Sequence, residues 1–169
     1  AGKFYFDAVA WAVEKGITKG ISDELFAPTN DCTRGQVVTF LWRAAGSPAP
    51  KSTEHPFTDV KEGKYYYEAM LWAVENGITE GMTETTFAPN ATCTRGQVVT
   101  FLWRAKNMPK ATNSENPFTD VTNPKAFYYE AMLWAVENDI TDGMTETTFV
   151  PDGTCTRGQV VTFLHRAYK

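Results

Sequence analysis

The chain has no stretch of about 18 consecutive apolar residues, so nothing in it reads as a membrane-spanning helix. Basic residues are also few. Sixteen Lys and Arg against 20 Asp and Glu leave a formal charge of −4, and cations scattered this thinly do not make the concentrated surface that a nucleic-acid backbone demands. Histidine occurs twice and cysteine three times, with no Cys-x-x-Cys pair and no histidine at ligand spacing. Neither a zinc site nor a disulfide framework is expected, and no cofactor is implied. No nucleophile stands beside a base and neither histidine is placed for chemistry, so no catalytic residue is assigned and an enzyme is not expected. The opening AGKFYFDAVAWAVEKG is no signal peptide, because acidic residues interrupt it. It enters partway into a repeating unit, so the chain is expected to be a piece of something longer, with any export signal upstream.

What is present is a globular composition: 43% of the 169 residues are hydrophobic and 14% aromatic. A chain of this size hides roughly 70% of its unfolded surface. The ten residues CTRGQVVTFL recur letter for letter at 32–41, 93–102 and 155–164, and Trp11, Trp72 and Trp134 follow the same steps of 61 and 62 residues. The units run over 1–46, 57–107 and 118–169, the first without the PFTDV stretch that opens the other two. Pro-rich, polar segments at 47–56 and 107–117 read as linkers long enough for the units to close into one group.

Within a unit, YYYEAMLWAVENGITEGM reads as a helix ending at Gly77 in the left-handed conformation, with Ile78 as the apolar contact beyond it. Gly16 and Asp139 hold the same place, and Asp tolerates it less well. A loop rich in Gly, Thr and Pro follows. The second helix starts with Thr94 as N-cap and Gln97 closing a capping box, while Cys93 and Val98 fit a hydrophobic staple. The three cysteines therefore read as small structural thiols.

The first helix carries Ala69, Met70, Leu71, Ala73 and Val74 on one arc, but Trp72 falls among Glu68, Glu75 and Asn76. A tryptophan there must be covered by a neighbouring unit, a loop or a ligand. The second helix is apolar over most of its circumference, leaving Gln36, Thr39 and Arg43 on a narrow polar strip, as an inner helix should. The expected fold is all-α: three helix-loop-helix repeats in a pseudo-threefold arrangement around an inner three-helix bundle. Arg34, Arg95 and Arg157 stand at the first helical position, where the macrodipole disfavours a cation by about 0.3–1 kcal/mol. Each calls for a compensating anion, either an external carboxylate or phosphate at the helix tip or an internal partner such as Asp59 or Asp120.

Three successive units with F-x-D-V, G-I-x-x-G, F-x-P and T-R at this spacing resemble the S-layer homology domains of bacterial cell-surface proteins. The resemblance implies a pseudo-trimeric fold whose inter-unit grooves bind a secondary cell-wall polysaccharide, often carrying pyruvylated amino sugars. It implies a secreted protein held at the cell wall. By that likeness Arg34, Arg95 and Arg157 would contact the acidic sugar, Asp59 and Asp120 would line the groove, and Gly20, Gly81 and Gly143 would let backbone approach the ligand. Trp11, Trp72 and Trp134 would be platforms. The family's usual Ala-Glu after Thr-Arg is here Gly-Gln. This removes a negative charge at Gln36, Gln97 and Gln159, which join the candidate ligand-binding set. The first unit has no counterpart of Asp59, so its groove is expected to be incomplete. The alternative function is a protein-interaction module, assembling with its own copies or adhering to a host protein.

Overall fold

The computed structural model describes residues 2–169. Its elements are six helices: α1 (Phe6–Glu14), α2 (Arg34–Ala44), α3 (Tyr67–Glu75), α4 (Arg95–Ala105), α5 (Tyr129–Glu137) and α6 (Arg157–Tyr168). No strand is formed among the described residues, so the fold is all-α.

α2, α4 and α6 begin as their sequences dictate. Thr33 Oγ1 accepts from the Gln36 N–H at 3.3 Å and Gln36 Oε1 accepts from the Thr33 N–H at 3.1 Å, and Thr94/Gln97 and Thr156/Gln159 repeat this reciprocal box. A cap of this kind stabilises a helix by about 1 kcal/mol. Val37, Val38, Phe40 and Leu41 are buried, as the wheel requires, but so is Thr39. Its hydroxyl donates back to the Gly35 carbonyl at 2.6 Å, which satisfies it without solvent.

α3 starts two residues later than the tyrosine run suggests. Tyr66 is its N-cap and makes no side-chain cap. Its ring instead packs beside Gly35, where a Cβ would sit 3.2 Å from the tyrosine Cδ1. Glycine after the helix-tip arginine therefore suits a crowded position, where a Cβ would lie 2.9 Å from the Tyr128 ring at Gly96 and 2.9 Å from the Pro28 carbonyl at Gly158. The helix ends in a Schellman motif, with Ile78 N–H donating to the Ala73 carbonyl and Gly77 N–H to that of Val74. The left-handed residue is Gly77 at φ 64°, Gly16 at 68° and, at a steric cost, Asp139 at 55°.

The helices of one unit do not pack on each other. Among the described residues α1 packs on α6, α3 on α2 and α5 on α4, while α2, α4 and α6 each touch the other two. Every outer helix therefore lies against an inner helix of a different unit. The linkers make this crossing and are strapped down on the way: Trp42 Nε1 donates to the Pro48 carbonyl at 2.9 Å, and Lys51 N–H to Glu75 at 2.8 Å.

At the N-terminal ends of the inner helices the chain closes a circuit. Cys32 N–H donates to the Cys155 carbonyl, Cys155 N–H to Cys93 and Cys93 N–H to Cys32, each at 2.9 Å. The three side chains are wholly buried free thiols. Burial pushes those of Cys93 and Cys155 up to about 12 and raises Cys32 as well. They stay protonated, as apolar filler should.

Because α3 and α4 find their partners outside their own unit, an isolated fragment 57–107 should lack a cooperative thermal transition by circular dichroism. The whole chain should melt in one. A cooperative melt of the fragment would contradict the interlocked packing.

Candidate functional site

The helix-tip arginines are the largest charged groups inside the protein, with Arg34, Arg95 and Arg157 only 1%, 2% and 3% exposed. Each crosses into the next unit. Arg34 Nε donates to the Phe87 carbonyl at 2.8 Å and Nη2 to Thr79 Oγ1 at 3.4 Å, with the guanidinium carbon 5.1 Å from the Phe87 ring centre and 5.3 Å from that of Phe101. Arg95 does the same with Phe149, Thr141 and Phe163. Arg157 reaches the Phe26 carbonyl and lies over Phe26 and Phe40, but its Nη2 is buried without a partner. Desolvation lowers all three pKa values.

The internal partner foreseen for them is not in contact. Among the described residues no ion pair joins these arginines to Asp59 or Asp120. The charge rests instead on carbonyl oxygens, threonine hydroxyls and aromatic faces, each cation–π contact worth about 0.5–2 kcal/mol. The helix-tip N–H groups are occupied too: those of Arg34 and Gly35 donate to the Ala91 and Pro89 carbonyls, both at 2.9 Å. An anion bound here would therefore meet the guanidinium edge, not an open helix end.

Asp59 and Asp120 sit one step behind. The Asp59 carboxylate accepts from the N–H groups of Phe87 and Ala88 at 2.8 and 2.7 Å, and Asp120 from those of Phe149 and Val150 at 2.9 and 2.7 Å. Ala88 and Val150 are held at φ 55° and 56°, a region costly for any residue with a Cβ and most so for a β-branched one. Each aspartate thus fixes the peptide whose carbonyl receives the arginine.

Two open clefts gather much of the predicted set. The first, about 410 Å³, is walled by Thr18–Ile21, Gln36, Thr39 and Arg43 with Arg157 behind and Tyr65 at the edge. The second, about 330 Å³, repeats the plan with Thr79–Met82, Gln97, Thr100, Arg104, Arg34 and Phe127. Residues of all three units meet in each. The first unit's cleft is open, and that unit has no counterpart of Asp59.

Not every predicted residue comes to these walls. Trp72 and Trp134 are 8% and 6% exposed and belong to the core, so packing within the protein covers the odd face of α3 and α5. Trp11 is half-buried, with its ring 5.1 Å from His165 on α6. Gly20 and Gly81 line the clefts, but their own loops already require glycine: a Cβ on Gly81 would lie 2.5 Å from the Phe57 ring, and one on Gly143 equally close to Phe118. Gln97 and Gln159 also touch Met82 and Met144 through Nε2 at 3.5 Å.

Sequence reasoning missed the cleft edges. Tyr65 and Phe127 stand 54% and 58% exposed, each facing an exposed aliphatic, Ile21 or Met82, across its cleft. The signal was the aromatic doublet before each first helix, Phe4-Tyr5, Tyr65-Tyr66 and Phe127-Tyr128. It was read as helix, although the first member of each doublet faces solvent.

Replacing Arg95 by Ala strands a buried carbonyl and hydroxyl and empties the space between two rings. A loss of about 2–4 kcal/mol is expected in denaturant unfolding, and Arg95→Lys should recover less than half, lacking the planar fork. Unchanged stability in the Ala variant would show that the clasp is not structural.

Comparison with known proteins agrees with this architecture. The S-layer homology domain family matches residues 1–38, 56–99 and 117–161. The chain is 31% identical over 150 residues to an endoglucanase of Bacillus sp. (strain KSM-635), covering 86% of this chain and 16% of that protein. It is 31% identical over 154 residues to the surface-layer 125 kDa protein of Lysinibacillus sphaericus, covering 89% and 13%. With the cellulosome-anchoring protein of Acetivibrio thermocellus it shares 24% identity over 156 residues, covering 88% and 34%. The chain thus spans about a third or less of these relatives, and its match to the endoglucanase takes in a small part of that protein. Three matched segments, a surface-layer protein and an anchoring protein among its relatives place it outside the cell, at the surface or wall: the chain belongs to the S-layer homology domain family and serves in cell-surface anchoring.

Proposed function

We propose that the chain holds a larger polypeptide on the bacterial wall by binding an anionic, pyruvylated secondary wall polysaccharide in the clefts between its units. The three units, 1–46, 57–107 and 118–169, act as one closed group in this reading, and none of them is catalytic. The observation that carries it is the repeated wall of two separate clefts. Each has a glutamine and a threonine on an inner helix, a guanidinium behind them, and an exposed aromatic ring at the edge. Hydroxyl-rich rings with one acidic group suit such a wall. Their polar edges meet Gln36 or Gln97, their C–H faces meet Tyr65 or Phe127, and their carboxylate lies toward the cations. Asp59 serves the second cleft by holding its loop, Asp120 holds the corresponding loop of the third unit, and Gly20 and Gly81 let the cleft loops turn. One weak cleft would not anchor a protein, but linked clefts on a repeating polymer gain from effective concentration.

The test is co-sedimentation with purified walls, with and without their secondary polymer. The protein should pellet only with intact walls. A Phe127→Ala variant should keep its melting temperature and bind several-fold more weakly, as the loss of stacking at one edge implies. Equal pelleting with stripped walls, or undiminished binding by the variant, would turn the reading toward a protein partner.

A further inference from the structure

The clefts share a plan but not a charge. The residue before the loop glycine is Lys19 in the first unit, Glu80 in the second and Asp142 in the third, all exposed. Lys19, Arg43 and Arg157 line the first cleft with no carboxylate among its lining residues, whereas Glu80 joins Arg34 and Arg104 in the second. At the third position Asp142 Oδ2 already pairs with Arg166 Nη1 at 3.0 Å. A second difference points the same way. Arg34 and Arg95 spend Nη2 on Thr79 and Thr141, while Arg157 Nη2, in a residue 97% buried by its 3% exposure, has no partner and belongs to the first cleft. A buried donor left unmade is unfavourable until an acceptor arrives, and an anionic oxygen is the strongest acceptor available to it.

We infer that the first cleft, walled by residues 18–21, is the charge-selective site for an acidic group of the ligand, and that Lys19, with Glu80 and Asp142 in its place elsewhere, determines this selectivity. The inference rests on the anchoring reading and adds an order among the clefts. The acidic group is a carboxylate or a phosphate ester, both of which present the same anionic oxygen to Lys19 and Arg157. The other two positions carry their own carboxylate beside the cation and accept neutral sugar edges more readily.

Gly20, Gly81 and Gly143 supply one backbone amide per unit as a reporter. The ¹⁵N-labelled chain is titrated with oligosaccharides released from the wall polymer, with the same fragments after carboxyl reduction, and with them after dephosphorylation. The Gly20 amide should saturate at about tenfold lower ligand than Gly81 and Gly143 in low salt, as expected for a few exposed charges acting together. One of the two chemical treatments should abolish that lead, and which one does so identifies the acidic group. Lys19→Glu should erase the lead, and Glu80→Lys should bring Gly81 towards Gly20. Both changes lie on exposed side chains and should leave the fold intact. Simultaneous saturation of the three amides, a lead for Gly81 or Gly143, or a lead that survives both treatments or Lys19→Glu would overturn the inference. If no amide responds to the native fragments, the anchoring reading fails with it.

Discussion

The inner helices cannot satisfy their own beginnings. Every α-helix starts with N–H groups that lack a partner within it, and here those of α2, α4 and α6 are answered by carbonyls of the next unit, while an arginine from each tip is clasped inside that unit between two phenylalanines. The circuit runs from the first unit to the second, the second to the third, and the third back to the first. Burying three guanidiniums without a carboxylate is unfavourable in isolation. It becomes tenable because carbonyl dipoles, hydroxyls and ring faces are all in place at once, so the units stand together or not at all.

The clefts follow from that constraint. An arginine that leaves its own unit must pass under the loop of the next, and the loop must be rigid to receive it. In the second and third units Asp59 and Asp120 provide the rigidity by gripping two successive N–H groups, while the first unit's loop leaves its cleft open without such a grip. The loop then stands off the inner helix and leaves a wall with the guanidinium behind it. The proposed binding surface and the structural clasp share the arginines, so a substitution there bears on stability before it bears on any ligand. The edge residue Phe127 and the exposed Lys19 and Glu80 carry no such double duty.

Much of this was legible because it is local. Capping boxes at Thr33, Thr94 and Thr156, the left-handed stop at Gly77 and the buried, unreactive cysteines each depend on a few neighbouring residues, and each stands where the pattern put it. The helix-tip position also marked each arginine as needing a partner. It could not name their partners, because these are backbone carbonyls more than fifty residues away, and a carbonyl leaves no mark in a sequence. The exchange of outer helices was hidden for a related reason: amphipathicity tells a helix which face to bury, not against whom. Trp72 looked misplaced on its own helix only because the surface that covers it lies outside that helix.

The most direct test is a structure of this chain with an oligosaccharide of the wall polymer bound. Sugar density between the 18–21 or 79–82 loop and its inner helix, with a ring against Tyr65 or Phe127, is the predicted result. Density confined to the outer faces of α1, α3 and α5, with both clefts unoccupied, would contradict it.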